Sequence, residues 1–432
     1  MKNFYHKPSN AVKVQFEAYN AMPERSKLLS SSLGFASGLN NFVNPKTYSE
    51  FYIVPNVIPL AIIPSYKGGP ALIKLVSDII TFNHLASVIV VNDSSPAEYD
   101  SVFVDIDALS DRVTVLKTPT NFLKAGAINL ALTHIKENNI KADVIFTLDD
   151  DVQINDYTIG HMASEIMRDE RLGAVCSQAR AWNKNKNLLT RLQGLEYHGY
   201  NVIRKAESGF VNGPLVMHGM LSGFRFEAIM KVGEFATGHL IEDYDMTARI
   251  KKAGYDVKFA THAAAWTDVP ENFNALWKQR IRWSVGGLEI LAKERYLPAI
   301  FQDVIGHFMF IATFVSVILA FSIPAENNYP VVTWVIAMVA ITQFVIGFTF
   351  NLLTLKSYED ADIWDWILRI TIIPEFIYAN ILTVGLLGSY LFIVYTKLVR
   401  KLLKLTRHAE YIDKQISLLF LKAGYSMGWG TR

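Results

Sequence analysis

Val144-Ile145-Phe146-Thr147-Leu148-Asp149-Asp150-Asp151 is the stretch on which the reading of this chain turns. Strand side chains alternate between the two faces, so an apolar run without alternation belongs to a strand buried on both sides. Three more runs share the pattern: Val57 to Ile63, Val88 to Val91 and Val113 to Leu116. Each closes on polar residues and is followed by a helical stretch. Buried strands alternating with helices predict an α/β fold whose mostly parallel sheet is covered on both faces. In such sheets ligands bind beyond the carboxyl ends of the strands, so the residues closing each run are where chemistry belongs.

Composition sets the outer limits. The 432 residues are 51% hydrophobic and 19% charged, which excludes a disordered or collagen-like chain. Length alone allows two or three folding units of roughly 150 residues. With 42 Lys and Arg against 40 Asp and Glu the net charge is +2, not the basic excess of a nucleic-acid binder. The single cysteine, Cys176, cannot form an internal disulfide, and nothing points to an oxidising compartment.

The hydropathy is uneven. Val304 to Ile323 runs 20 residues and Val331 to Leu355 runs 25 without Asp, Glu, Lys or Arg. Either is long enough to cross ~30 Å of hydrocarbon at ~1.5 Å per helical residue. A third apolar region, Ile370 to Thr396, contains Pro374 and Glu375 and follows Ile363 to Arg369, an amphipathic segment whose tryptophans suit headgroup depth. Three spans are therefore expected, at 304–323, 331–355 and 370–396, within a membrane domain of residues 300–399. Met1 to Val14 holds no signal-peptide-like stretch, so insertion is expected to start at Val304. Lys278, Arg280, Arg282, Lys293 and Arg295 precede the first span, and Pro324 to Pro330 carries no base, which places the N-terminal domain in the cytoplasm. The tail conflicts with this: Lys397, Arg400, Lys401, Lys404 and Arg407 also read as cytoplasmic, yet three crossings would put them outside. Either 363–399 crosses twice, or it is partly re-entrant, or the tail departs from the rule.

The strand ends are informative. The first run leads into Pro64-Ser65-Tyr66-Lys67-Gly68-Gly69, a turn with a ring able to stack on a base; the second into Asn92-Asp93. In extended chain Asp149 and Asp151 share a side and Asp150 faces away. Carboxylates so close repel one another unless a hard cation such as Mg²⁺ or Mn²⁺ joins them and takes phosphate oxygens as further ligands. A solvated acidic turn would look the same in isolation; what favours a metal diphosphate site is the position after a buried strand, beside Asp93. Further on, Glu242-Asp243-Tyr244-Asp245 opens a helical pattern, Met246 to Ala253, capped by Gly254, where acids also suit the positive helix end. In Gln279-Arg280-Ile281-Arg282-Trp283 a helix puts Gln279, Arg282 and Trp283 on one face, a set suited to a sugar and a phosphate, or to anchoring at headgroups.

The ordered set resembles the inverting family-2 glycosyltransferases. Pro64-Ser65-Tyr66, Asp93, Lys124-Ala125-Gly126-Ala127-Ile128-Asn129, Asp149-x-Asp151, Glu242-Asp243 and Gln279-x-x-Arg282-Trp283 are followed by membrane spans, as in the processive synthases of cellulose, chitin, hyaluronan and poly-N-acetylglucosamine. Thr267 to Glu271 also resembles the segment ahead of the last motif. The resemblance, which covers about Ile58 to Gly287, implies a GT-A fold, Rossmann-like, over residues 51–290, after an N-terminal extension (1–50) and before a basic tail (400–432). It implies that Pro64, Tyr66 and Asp93 meet the nucleoside of a UDP-sugar and that Lys124 lies near its diphosphate. Asp149 and Asp151 would hold Mg²⁺ or Mn²⁺, with Asp149 also at the diphosphate. Asp243, beside Glu242, would be the general base; Gln279 and Arg282 would close over the donor; Trp283 would carry the acceptor sugar, with Ser222-Gly223 on the acceptor side.

One departure is that many relatives have spans ahead of the catalytic domain, and this sequence shows 50 residues of other character there. A polymer channel would then need a partner subunit or an oligomer. The expectation is a membrane-bound β-glycosyltransferase extending a polysaccharide, with transfer to a lipid acceptor as the alternative. A catalytically silent sugar-nucleotide sensor is a third reading, disfavoured by the intact Asp149, Asp151 and Asp243.

Overall fold

The computed structural model describes residues 53–208, 212–238, 240–294, 330–400 and 409–425, with scattered positions between 308 and 322. The extension at 1–50, most of the 304–323 span, and residues 401–408 and 426–432 of the tail fall outside the described residues. The chain divides into two compact units.

The first unit holds the described residues of 53–179, 200–234 and 250–265. It is built on β1 (Pro59–Ser65), β2 (Ser87–Asn92), β3 (Val113–Lys117), β4 (Val144–Leu148), β5 (Gln153–Ile154), β6 (Leu172–Ala181), β7 (Leu221–Arg225) and β8 (Asp256–Thr267), ordered β3-β2-β1-β4-β7-β6-β8-β5. The β3-β2-β1-β4 half is parallel, whereas β7 runs antiparallel to both β4 and β6. All four strands read from the sequence are present, so the α/β expectation holds; β7 supplies the antiparallel turn that makes the sheet mixed. Helices α1 (Pro70–Phe82), α2 (Asp100–Asp107), α3 (Leu123–Glu137), α4 (Thr158–Arg168) and α6 (Phe226–Val232) accompany it. β4 is buried throughout, as its unbroken apolar run demands. β1 begins two residues later than the run suggests and ends at Ser65. Asp143 explains the delay: its Oδ2 accepts the Ile58 N–H, and its own N–H donates to the Ile58 carbonyl. Pro64 is tolerated because β1's pairing with β4 has ended at Ile62. At Gly223, which stands opposite Phe146, a Cβ would meet the Phe146 ring at 2.6 Å, so only glycine lets the two strands close.

The second unit takes residues 180–199, 235–249 and those from 266 onward. It contains the first part of α5 (Leu188–Glu207), most of α7 (Glu242–Lys252), and α8 (Phe273–Glu294), α9 (Pro330–Leu355), α10 (Ile363–Thr371), α11 (Ile373–Val394) and α12 (Ala409–Lys422). α8 therefore belongs with the C-terminal helices rather than with the sheet, because Ile281 and Val285 share a core with Leu240, Phe392 and Tyr425. The apolar stretch read as 370–396 is divided at Ile372, which has φ +64°. Pro374 has no N–H to continue a helix from α10 and sits instead in the first turn of α11. α10 starts on a capping box in which Asp362 accepts from the Trp364 and Asp365 N–H groups and Asp365 accepts from that of Asp362. Two described helical stretches are long and apolar enough to cross a membrane, Ala337–Leu355 and Ile373–Val399.

Candidate active site

Strand ends of the first unit bring several expected residues together. Asp149 follows β4, and its Oδ1 lies 2.6 Å from the Lys124 Nζ at the start of α3. The same ammonium donates to the Gly219 carbonyl at 2.9 Å, which aims it along the β4 end. Leu123, just before Lys124, has φ +61°, a conformation costly for a branched side chain and found where a site fixes its backbone. The three acids lie in a turn rather than in extended chain, and Asp150 accepts from Ser65 Oγ at 2.6 Å, tying the end of β1 to it. Asp151 is exposed.

Asp93 is buried, and its Oδ1 accepts from Thr118 Oγ1 (3.0 Å) and from the Phe122 N–H (2.7 Å). One carboxylate oxygen thus orders the loop that delivers Lys124. Tyr66 is half-buried beneath the Lys67 ammonium, 5.2 Å from its ring centroid, and the Lys67 N–H donates to Ser95 Oγ, joining the β1 and β2 ends. Pro64 is the penultimate residue of β1.

Ser222 and Gly223, expected on the acceptor side, lie inside the sheet. Ser222 is buried with its Oγ donating to the His218 carbonyl, and Gly223 packs on Phe146. Their place in β7 is explained by strand packing, and they offer no surface to a sugar.

In the second unit, α7 begins at Glu242 rather than Met246, so the acids fall within its first turn. Glu242 is buried; Asp243 is half-buried and takes the Tyr244 N–H on Oδ1 at 2.8 Å. Asp245 is fully buried and structural, bonded to Arg249 at 2.7 Å and to Lys293 of α8 at 2.9 Å. The cluster thus separates into a buried tie and a more accessible carboxylate, Asp243. Gln279, Arg282 and Trp283 do fall on helix, in α8, and all three are partly exposed.

Sequence reasoning missed Arg280. It is buried, donates to Gln279 Oε1 and to Glu196 Oε2, both at 2.5 Å, and lies with its guanidinium 4.2 Å over the Trp283 ring. Glu196 in turn accepts from the Tyr378 hydroxyl of α11 at 2.6 Å. No local signal marks these partners, since Glu196 and Tyr378 stand 84 residues before and 98 after Arg280 in the chain. The segment ahead of the motif is strapped as well: Asn183 exchanges two 2.9 Å bonds with the Val269 backbone, and Gln193 donates to the Pro270 carbonyl.

The donor set suits a hard cation. Asp149 and Asp151 offer carboxylate oxygens on one turn, the donor type a hard cation takes, and Asp149 pairs with the Lys124 ammonium. No group of three or more His, Cys, Asp or Glu side chains forms a metal cage among the described residues.

The sequence profile of Glycosyl transferase family group 2 matches residues 144–395, more than half of the chain. This chain belongs to that family. Its relatives include the poly-β-1,6-N-acetyl-D-glucosamine synthase of Staphylococcus aureus (strain COL), 28% identical over 207 residues, 48% of each chain. The Staphylococcus epidermidis enzyme of the same name is 28% identical over 210 residues, again 48% of each. The match thus spans about half the length of these curated relatives. Among solved structures, a mannosyltransferase of Pyrobaculum calidifontis, in complex with GDP-Man and Mn²⁺, aligns over 86% of this chain and 98% of its own, with TM-score 0.54 and 17% identity. That likeness concerns the fold, and with the family it establishes the GT-A expectation.

Proposed function

We propose that this glycosyltransferase is membrane-bound and inverting, and that it extends a polysaccharide from a UDP-sugar in a Mg²⁺- or Mn²⁺-dependent reaction. The observation that carries the reading is the Lys124–Asp149 pair at the carboxyl end of β4, a charge arrangement suited to a diphosphate. The naming of the staphylococcal relatives supports a polymer product and makes UDP-N-acetylglucosamine the first donor to try. Two apolar helical stretches support membrane association, and basic residues before the first span support a cytoplasmic catalytic domain.

In this reading Pro64, Tyr66 and Asp93 bind the nucleoside, Lys124 binds diphosphate oxygens, and Asp149 and Asp151 hold the cation. A divalent cation bound by these two carboxylates would offset the charge of the departing diphosphate. Gln279 and Arg282 hold the donor, with the Arg282 fork suited to phosphate oxygens. Trp283 packs on the acceptor sugar, and Asp243, beside Glu242, takes the proton of the attacking hydroxyl. A single displacement with one base inverts the anomeric carbon and requires no covalent sugar–enzyme bond.

The test is nucleotide release by the full chain in nanodiscs with Mn²⁺, supplied in turn with UDP-N-acetylglucosamine, UDP-glucose, UDP-glucuronate and GDP-mannose, with products sized on a gel. Release with a UDP-sugar and a long glycan is expected. A short lipid-linked product would move the chain to lipid glycosylation, and nucleotide binding without release would leave it a sensor.

A further inference from the structure

α11 passes every test of length and apolarity for a membrane span, yet its surroundings are those of a helix at the water boundary. Its midpoint, Gly385, meets the Trp277 ring of α8, where an added Cβ would stand 3.2 Å away. The residues flanking that contact in α8 are Lys278, Arg280 and Arg282. A spanning α11 would carry these cations to the centre of the bilayer, where Lys and Arg are most costly.

The chain after α11 adds an independent argument. α12 doubles back along it: the Tyr395 hydroxyl donates to the Asp413 carbonyl at 2.9 Å, Phe392 packs on Phe420, and the Tyr425 hydroxyl donates to the Gly385 carbonyl at 3.0 Å. α12 carries Glu410, Asp413, Lys414 and Lys422, and Ala423, just after it, accepts from Trp277 Nε1 at 2.8 Å. Were α11 to cross, the charges of α12 would enter hydrocarbon with it, alongside its exposed Ile412, Leu418, Leu419 and Leu421. The chain entering α11 is held to the same body: Arg180, Lys184 and Arg191 pair with Glu359, Asp360, Asp362 and Asp365, and Arg369 reaches the Leu195 carbonyl of α5.

What α11 leaves uncovered is one stripe. Ile373, Phe376, Ile377, Ile381, Val384, Leu391 and Val394 of α11, with Leu398 just after it, are each more than a third exposed and fall along one side at helical spacing. α10 repeats the design, with Asp365 and Arg369 buried and Ile363, Trp364, Ile367 and Ile370 exposed. Exposed apolar faces on two successive helices, with polar faces turned into the protein, suit a lipid surface.

We propose that α10 and α11 lie along the bilayer rather than across it, their apolar stripe set in the acyl region of the leaflet next to α8. α12, Lys397 and Arg400 then stay on the water side that holds α8. This removes the conflict between three crossings and a basic tail. It concerns topology alone and stands whether or not the transferase reading does.

Nitroxides placed singly through Ile377→Cys, Ile381→Cys, Val384→Cys, Leu391→Cys and Leu398→Cys in the full chain, reconstituted in 3:1 phosphatidylcholine:phosphatidylglycerol vesicles, report depth from the ratio of oxygen to nickel-chelate collision. Equal depth at all five, within about one helix radius (~5 Å), is expected. A maximum near Val384, deeper by ~15 Å than the ends, would overturn the proposal. Immobilised spectra shielded from both quenchers would do so too, by showing a protein in place of lipid. Independently, Lys414→Cys and Lys186→Cys should react with an impermeant maleimide from the same membrane face; labelling from opposite faces would contradict the topology.

Discussion

The Arg280 guanidinium lies 4.2 Å over the Trp283 ring and is held there by Glu196, which also accepts the Tyr378 hydroxyl. Arg280 thereby positions two motif side chains at once, Gln279 and Trp283.

Arg280→Lys keeps the charge and loses the planar fork. Trp283 and Gln279 should loosen, raising KM for the acceptor about tenfold and shortening the product while UDP affinity stays unchanged. Tyr378→Phe removes one hydrogen bond worth about 1 kcal/mol and should act in the same direction, more weakly. A product-length assay beside UDP titration separates these effects; equal loss in both would indicate general unfolding.

Asp151→Ala should weaken UDP binding in Mn²⁺ by about tenfold or more and leave binding in EDTA unaltered. Isothermal titration with and without the metal checks this. Unchanged affinity in Mn²⁺ would remove Asp151 from the metal site.

Gly223→Ala places a methyl within 2.6 Å of the buried Phe146 ring. Overpacking of this kind costs about 1–3 kcal/mol, so Tm should fall by several degrees while nucleotide affinity in the surviving folded fraction is retained. A direct acceptor role would instead show as altered KM at unchanged Tm.

Stability should fall in mild acid. Burial pushes His198 down to about 4 and His218 to about 3, against ~6.5 in the unfolded chain. Between pH ~6.5 and those values the unfolded chain binds protons that the native chain excludes, so stability rises with pH across that window. The contribution is complete above about pH 6.5 and is lost on acidification, by up to about 1.4 kcal/mol per pH unit for each histidine. Tm measured from pH 7.5 to 5.0 should decline, and His198→Gln should make the decline shallower.

Local pattern reached some of this molecule and not the rest. β4 and its acidic end were legible residue for residue, because a strand buried on both faces leaves an unbroken apolar run. β7 was not: Leu221 to Arg225 mixes a serine, a glycine and an arginine, and only its place between β4 and β6 makes it a strand. Gln279, Arg282 and Trp283 were found through helical spacing, whereas Arg280 joins Glu196 and Tyr378 through contacts that no spacing encodes. Hydropathy reads α11 as long and apolar enough to span, because it counts apolar residues and does not register that Trp277 of α8 and Tyr425 meet its Gly385. Cys176 is a simpler case: burial pushes its thiol up to about 11, consistent with a lone, unreactive core residue.

Sugar transfer from a nucleotide donor with Asp243 as the base is checked by UDP release from UDP-N-acetylglucosamine in Mn²⁺ by the wild type and by Asp243→Asn, with UDP affinity measured on both. Release by the wild type, a fall of about 10²–10⁴-fold in the variant, and equal affinity are expected. Release that survives the substitution at the wild-type rate would contradict it.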